Sequence, residues 1–217
     1  MGKNGIETVW DFRLAEVAKA LEGNNFEVTV QPSLAEAVGY FKNTLLPALA
    51  PKSVGVGGSE TITHSGVYEL LSAGDFEFVN PYARGLSPEE ALEKRRQGLL
   101  TDLFVTSSNA LTRDGRLLNL DGSSNRVAAL AFGPRKVVLF IGRNKICEDL
   151  DSGIARIKEF AAPANNIRLQ RKNPCTKVGH CMNCKSPERI CNVWTLTAKC
   201  APVKRIHVLL INEDLGF

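Results

Sequence analysis

Apolar residues recur along this chain first at helical and then at strand spacing, and the two rhythms trade places repeatedly. From Thr8 to Asn24, Trp10, Leu14, Val17 and Leu21 return every three or four residues, which predicts an amphipathic helix stopped by Gly23-Asn24-Asn25. Phe26 to Val30 alternates as a strand does. Ser33 then caps a second predicted helix whose apolar face is Leu34, Val38, Phe41 and Leu45, ending near Pro47. Ser53 to Ser59 is a short β-rich run that opens into glycines and is followed by a helical Thr61 to Leu71, the order of a βα unit.

The alternation continues through a strand at Phe76 to Val79, a helix from Ser87 to about Leu100, and a strand at Asp102 to Thr106. Ser87 as cap, Pro88 at the first helical position and Glu89 and Glu90 in the first turn all suit a helix start. The rhythm breaks between Asn109 and Asn125, where Asp114-Gly115 and Asp121-Gly122 flank a Leu117-Leu118 run, predicting short antiparallel pieces joined by tight turns. Val137 to Ile141 is a continuous β-branched run of the kind buried on both faces of a parallel sheet. A helix at Leu150 to Phe160 and a last buried strand at Arg205 to Ile211 complete the series. Strands alternating with helices predict one α/β domain over residues 1–217, with a mostly parallel sheet, helices on both faces, and residues 170–200 as an insertion or lid before the last strand.

That insertion carries four cysteines, Cys175, Cys181, Cys184 and Cys191, at intervals of five, two and six residues in a polar, Gly- and Lys-rich stretch with little apolar content to order it. Thiolates are soft ligands for zinc or an iron–sulfur cluster, and a Cys-x-x-Cys pair aims two of them at one ion. The spacing matches neither zinc-ribbon nor ferredoxin patterns. Disulfides and free thiols, including a redox-active Cys181 and Cys184 pair, are the alternatives, and His180 is able to replace a thiolate. His207 reads as a core or edge residue.

Composition narrows the picture in two ways. The residues total 27 Lys and Arg against 23 Asp and Glu, so the +4 charge is mild, and no nucleic-acid motif accompanies the basic cluster around the cysteines. The N-terminus is polar, without the apolar core of a secretory signal, and the longest apolar runs reach about a third of the roughly 20 residues a membrane span needs. The expectation is a soluble cytoplasmic protein that binds no nucleic acid and spans no membrane.

Three segments are candidate chemistry. Gly57, Gly58 and Ser59 form a glycine turn before a helix, suited to an anion or to tight packing, and Glu60 beside them is a candidate base or nucleophile whose alternative is dipole stabilisation. Asn109, Asp114, Asn119, Asp121, Asn125 and Arg126 crowd just past a predicted central strand, where open α/β sheets gather ligands. Arg126 reads either as an anion clamp or as half of a structural ion pair. Lys145, in the Gly142-Arg143-Asn144-Lys145 turn, is placed at the same edge.

Together these segments resemble the lactate-utilisation family (LUD domain, LutC/YkgG type). The resemblance is carried by GVGGSET at Gly55 to Thr61, TSSNALTRDGRLLNLDGSSNRVAALAFGP at Thr106 to Pro134, GRNKI at Gly142 to Ile146, AAPAN at Ala161 to Asn165, the cysteine elements at Pro174 to Cys191, and the NEDLGF ending. It implies a NagB/RpiA/CoA-transferase-like fold and a role in oxidising L-lactate to pyruvate beside iron–sulfur partner proteins. It carries Gly57, Gly58, Ser59, Asn109, Asp114, Asn119, Asp121, Asn125 and Arg126 over as ligand-pocket positions for a small carboxylate or phosphate-bearing ligand, and supplies no settled catalytic residue. With it, the cysteines read as holding a four-iron four-sulfur cluster or zinc. Two other readings stay open: a transferase or isomerase acting on a CoA ester or sugar phosphate through Glu60, and a non-catalytic module with structural zinc.

Overall fold

The computed structural model describes residues 4–217. Its strands are β1 (Glu27–Gln31), β2 (Ser53–Val56), β3 (Glu77–Val79), β4 (Leu103–Thr106), β5 (Ala110–Thr112), β6 (Leu117–Asp121), β7 (Lys136–Gly142), β8 (Ile146–Cys147), β9 (Val193–Thr197) and β10 (Ile206–Ile211). The helices are α1 (Gly5–Gly23), α2 (Leu34–Tyr40), α3 (Leu46–Leu49), α4 (Glu60–Thr63), α5 (Val67–Ser72), α6 (Pro88–Gln97), α7 (Asn125–Ala131), α8 (Leu150–Arg156), α9 (Ala162–Arg168) and α10 (Cys175–Val178).

Six strands form one sheet in the order β1-β10-β7-β4-β2-β3, every pairing parallel. The continuous apolar runs predicted to lie at its centre do so, because each face has its own cover. Val137, Leu139, Ile141, Val208 and Leu210 pack with Leu14, Val17 and Leu21 of α1 and Leu130 of α7. The alternate residues Val138, Phe140, Leu209 and Ile211 pack on the other side with Ala37 of α2 and Phe41, Ile62 and Leu71. Period two along the strands thus divides one sheet between two cores.

A smaller sheet, ordered β8-β5-β6-β9, stands at the carboxyl edge of the large one. Its β5 and β6 are the antiparallel pair expected around Asp114-Gly115, where Gly115 takes φ +79° and a Cβ would come within 2.6 Å of the Ala20 backbone of α1. The second Asp-Gly is a different device: Asp121 Oδ1 accepts from the Ser123 and Ser124 amides and leads into α7. Residues 170–200 are tied into this sheet, since β9 pairs antiparallel with β6 from Leu117 through Asp121.

The predicted helix ending near Pro47 runs past it, through a widened turn at Phe41–Leu45 in which the Leu46 amide reaches back to the Phe41 carbonyl. The same arrangement recurs at Ile157–Ala161, where the Ala162 amide reaches Ile157 and Pro163 follows. A wide turn places the missing proline N–H where no regular helical partner is required, so both helices continue. Among the described residues no helix is long and apolar enough to cross a membrane.

Candidate functional site

Parallel strands bring their carboxyl ends to one edge, and the chain leaving β2, β4, β7 and β10 there walls a cleft of about 270 Å³. Gly58, Ser59 and Glu60 follow β2, Ser107 to Asn109 follow β4, Lys145 follows β7 and Phe217 lies beyond β10. This is where open α/β sheets bind ligands. Gly57 extends the ladder by donating to the Val105 carbonyl at 3.0 Å, and a Cβ there would stand 2.6 Å from Thr106 Oγ1, so only glycine allows β2 and β4 to end this close together. Ser59 sits at the cap position of the four-residue α4, but its side chain makes no capping hydrogen bond. Across the turn the phenol of Tyr82, a residue 42 % exposed overall, is raised by desolvation and hydrogen-bonded to the Gly58 backbone.

Arg126 is the hub of the opposite wall. Its Nε donates to Asp121 Oδ2 at 3.2 Å, Nη1 to Asn119 Oδ1 at 2.7 Å and the Ser107 carbonyl at 3.2 Å, and Nη2 to Asn109 Oδ1 at 2.7 Å and the Leu120 carbonyl at 3.0 Å. A guanidinium has five N–H groups, and all five are taken inside the protein. Arg126 therefore shapes the cleft by locking the strand ends around it.

The charges facing the cleft are Arg95, Arg126, Lys145, Arg168 and Arg171 against Glu60 and Asp121. Both acids are engaged: Asp121 with Arg126, and Glu60 with Arg168 Nη1 at 3.1 Å and His64 Nε2 at 3.1 Å. Arg95 and Arg171 form no ion pair among the described residues, so the rim carries positive charge available to an anion. Lys145 is 3 % exposed, and its Nζ donates to Ser107 Oγ at 2.9 Å and Thr61 Oγ1 at 3.1 Å. Burial, then the nearby Arg156 and Arg126, bring its amine down from 10.5 to about 7.

The cysteine segment closes one side of this cleft, with Ile190 and Cys191 on its wall. Arg189 holds the loop, donating to the carbonyls of Cys184 at 2.5 Å and Cys191 at 2.8 Å, and Asn173 ties its start to Asn166 at 2.6 Å. All six cysteines are free thiols. Desolvation raises Cys175 and lifts Cys191 to about 11, and in each the other three thiols of the group, or two of them, push the same way. The four sulfurs are therefore electrostatic neighbours whose mutual repulsion as thiolates a cation would relieve. Among the described residues no three His, Cys, Asp or Glu side chains converge as a closed metal shell.

Of the residues singled out in the sequence, Gly58, Ser59, Glu60, Asn109, Asp121, Asn125, Arg126, Lys145 and Cys191 face one cleft. Gly57 and the fully buried Asn119 stand behind its wall. Asp114 does not join them: it lies in the β5–β6 turn, paired with Arg116 at 2.6 Å and hydrogen-bonded to Thr112. Residues that went unassigned, Tyr82, Arg95, Ser107, Asn165 and Arg168, arrive from four separate segments, the last two together on α9. Only Ser107, directly after a predicted strand, and Asn165, inside the AAPAN motif, carried a local sign of their place.

The chain is similar in fold to the crystal structure of a DUF162 family protein from Deinococcus radiodurans, with a TM-score of 0.51 at 13% identity, covering 93% of this chain and 98% of that one. No functionally curated protein matches it. The LUD domain family model matches residues 14–211, from within α1 to the last residue of β10, and on that match the chain belongs to the LUD domain family.

Proposed function

We propose that this chain is a component of a lactate-utilisation system, oxidising L-lactate to pyruvate together with iron–sulfur partner proteins, and that it binds the small carboxylate in the cleft at the carboxyl edge of its parallel sheet. The single observation carrying this reading is the cleft itself: about 270 Å³, rimmed by Arg95 and Arg171, which form no ion pair among the described residues, with both of its acids already neutralised. That volume suits a small anion better than a CoA ester. Cys191 on the cleft wall, with Cys175, Cys181 and Cys184, is a soft donor set that fits a four-iron four-sulfur cluster or zinc in kind and number. A cluster bound there would supply electron transfer; zinc would supply a structural cross-link.

In this role the cationic rim draws and orients the carboxylate, Arg126 holds the strand ends rigid, and the cysteine segment shields the cleft from water. The test is calorimetric titration of the protein, purified without oxygen, with L-lactate and pyruvate, beside its visible spectrum and elemental analysis. Binding that disappears in Arg95→Ala, with a broad iron–sulfur absorption, is the expected result. Colourless protein containing zinc refutes the electron-transfer part and leaves the structural one, and no binding of either acid refutes the carboxylate site.

A second reading rests on Glu60, a largely buried carboxylate on the cleft wall beside Ser59. It makes the chain a transferase or isomerase of CoA esters or sugar phosphates with Glu60 as the reacting group. Turnover of such a substrate that survives Glu60→Gln eliminates it.

A further inference from the structure

The buried end of Lys145 has an unusual proton count. Thr61 Oγ1 spends its one hydrogen on the Leu215 carbonyl at 3.4 Å, and Ser107 Oγ spends its own on the Ser108 carbonyl at 3.4 Å. Both hydroxyls are therefore left to accept from Lys145 Nζ, at 3.1 and 2.9 Å. Two acceptors match the two N–H bonds of an uncharged amine. An ammonium would carry a third N–H with no acceptor among the described residues, at a position 3 % exposed, where an unmatched charge is costly.

The groups facing it sharpen this. From α7 comes Arg126 and from α8 comes Arg156, which donates to the Asn144 and Asn109 carbonyls; both are cations, and both disfavour a charged neighbour. From α4 comes Glu60, whose carboxylate is bound by Arg168 and His64 instead. No ion pair reaches Lys145 among the described residues. Its amine, lowered to about 7, is thus free base in a substantial share of molecules at neutral pH, in a cleft where most lysines would be ammonium. A desolvated lysine beside other cations is the arrangement that makes an amine a nucleophile toward carbonyl carbon.

We propose that Lys145 is a catalytic nucleophile that captures the carbonyl carbon of a small 2-oxo acid in this cleft as an imine, with Arg95 or Arg171 taking the carboxylate. The assignment of the acid rests on the proposed carboxylate site, while the amine chemistry does not. Nζ adds to the carbonyl carbon, the carbon–oxygen π pair moves to oxygen, and the nitrogen gives up its two protons as that oxygen leaves as water. Amine and ketone become imine and water, and nothing is oxidised or reduced. Ser107 and Thr61, already receiving the amine's protons, are placed to relay them.

The experiment is incubation of the whole protein with pyruvate, with glyoxylate and with acetaldehyde, each followed by borohydride reduction and peptide mapping by mass spectrometry. The expected result is a reduced pyruvate or glyoxylate adduct concentrated on Lys145, forming at a rate that rises through about pH 7 and absent in Lys145→Met. Lys19 and Lys42, which are exposed, should be labelled at least tenfold more slowly at neutral pH. Labelling of Lys145 by acetaldehyde alone would overturn the 2-oxo acid assignment. Labelling spread evenly over exposed lysines, or missing from Lys145 with all three compounds, would overturn the nucleophile. Because the adduct is located in the unaltered protein, a Lys145→Met variant that fails to fold does not weaken the test. An adduct with pyruvate in a protein that supports no lactate oxidation when combined with its partners would dismiss the lactate role and leave the imine chemistry standing.

Discussion

Asn109 and Asn119 hold each other's strand ends: Asn119 Oδ1 accepts from the Asn109 amide at 3.1 Å, and Asn109 Oδ1 accepts from the Leu120 amide at 3.0 Å. Arg126 donates to both oxygens at 2.7 Å, so one guanidinium completes the pair. Replacing it takes one donor from each of two side-chain oxygens, two carbonyls and the Asp121 carboxylate in a buried setting. Lysine is no substitute, because three protons on one nitrogen cannot span acceptors set around a planar fork. Arg126→Lys is expected to lower stability by about 3 kcal/mol in denaturant unfolding, the range for breaking a buried, hydrogen-bonded ion pair. A loss below about 1 kcal/mol would mean that the network is decorative.

The two Asp-Gly steps should respond differently to the same change. Asp114 sits half-exposed in a hairpin turn, and its ion pair with Arg116 is screened by water. Asp121 is 10 % exposed at the side chain, bound to Arg126 and to the Ser123 and Ser124 amides. Asp114→Asn is therefore expected to cost below about 1 kcal/mol and Asp121→Asn at least about 2 kcal/mol, read from the same urea titrations. Equal losses would contradict the distinction between turn and site.

Gly57→Ala tests how tightly β2 and β4 converge. The added methyl would meet Thr106 Oγ1 at 2.6 Å and Phe104 Cε1 at 3.1 Å, and Thr106 is fully buried with no hydrogen-bond partner for its hydroxyl among the described residues. Overpacking of this kind costs about 1–3 kcal/mol. The same shift moves the wall of the cleft, so carboxylate affinity measured by calorimetry should fall with it. Unchanged stability and affinity would show that the strand ends part easily.

The large sheet was legible because its central strands carry continuous apolar runs, Val137 to Ile141 and Val208 to Ile211 above all, and such runs need cover on both faces. What escaped was carried by partners far along the chain. β9 alternates weakly and becomes a strand by pairing with β6, more than 70 residues earlier. Pro47 read as a stop because regular helical bonding forbids it, and the widened turn before it removes that objection. In the site, Asn109, Asp121 and Arg126 were visible as a polar cluster past a strand, whereas Arg95 on α6 and Arg168 on α9 carried no local mark, since only folding brings those helices to the same edge. Arg126 was legible as important and not as saturated: the count of its acceptors exists only in three dimensions.

Lys145 also leaves a signature in stability. In the unfolded chain its amine binds a proton up to about 10.5, and in the folded protein only up to about 7, so between those values the unfolded state holds more protons. Stability therefore rises with pH across that window, and below about 7, where both states are charged, the full cost of the buried ammonium is present. Lys145→Met keeps the apolar stem and removes the titrating group. The variant should exceed the parent by on the order of 3 kcal/mol at pH 6, and the gain should shrink steadily toward pH 10. The measurement is guanidinium unfolding of both proteins at intervals across that range, with the difference between them taken at each pH so that other titrating groups cancel. A difference that stays flat with pH would mean that Lys145 keeps its proton in the folded protein, and the uncharged amine on which the imine chemistry depends would be gone.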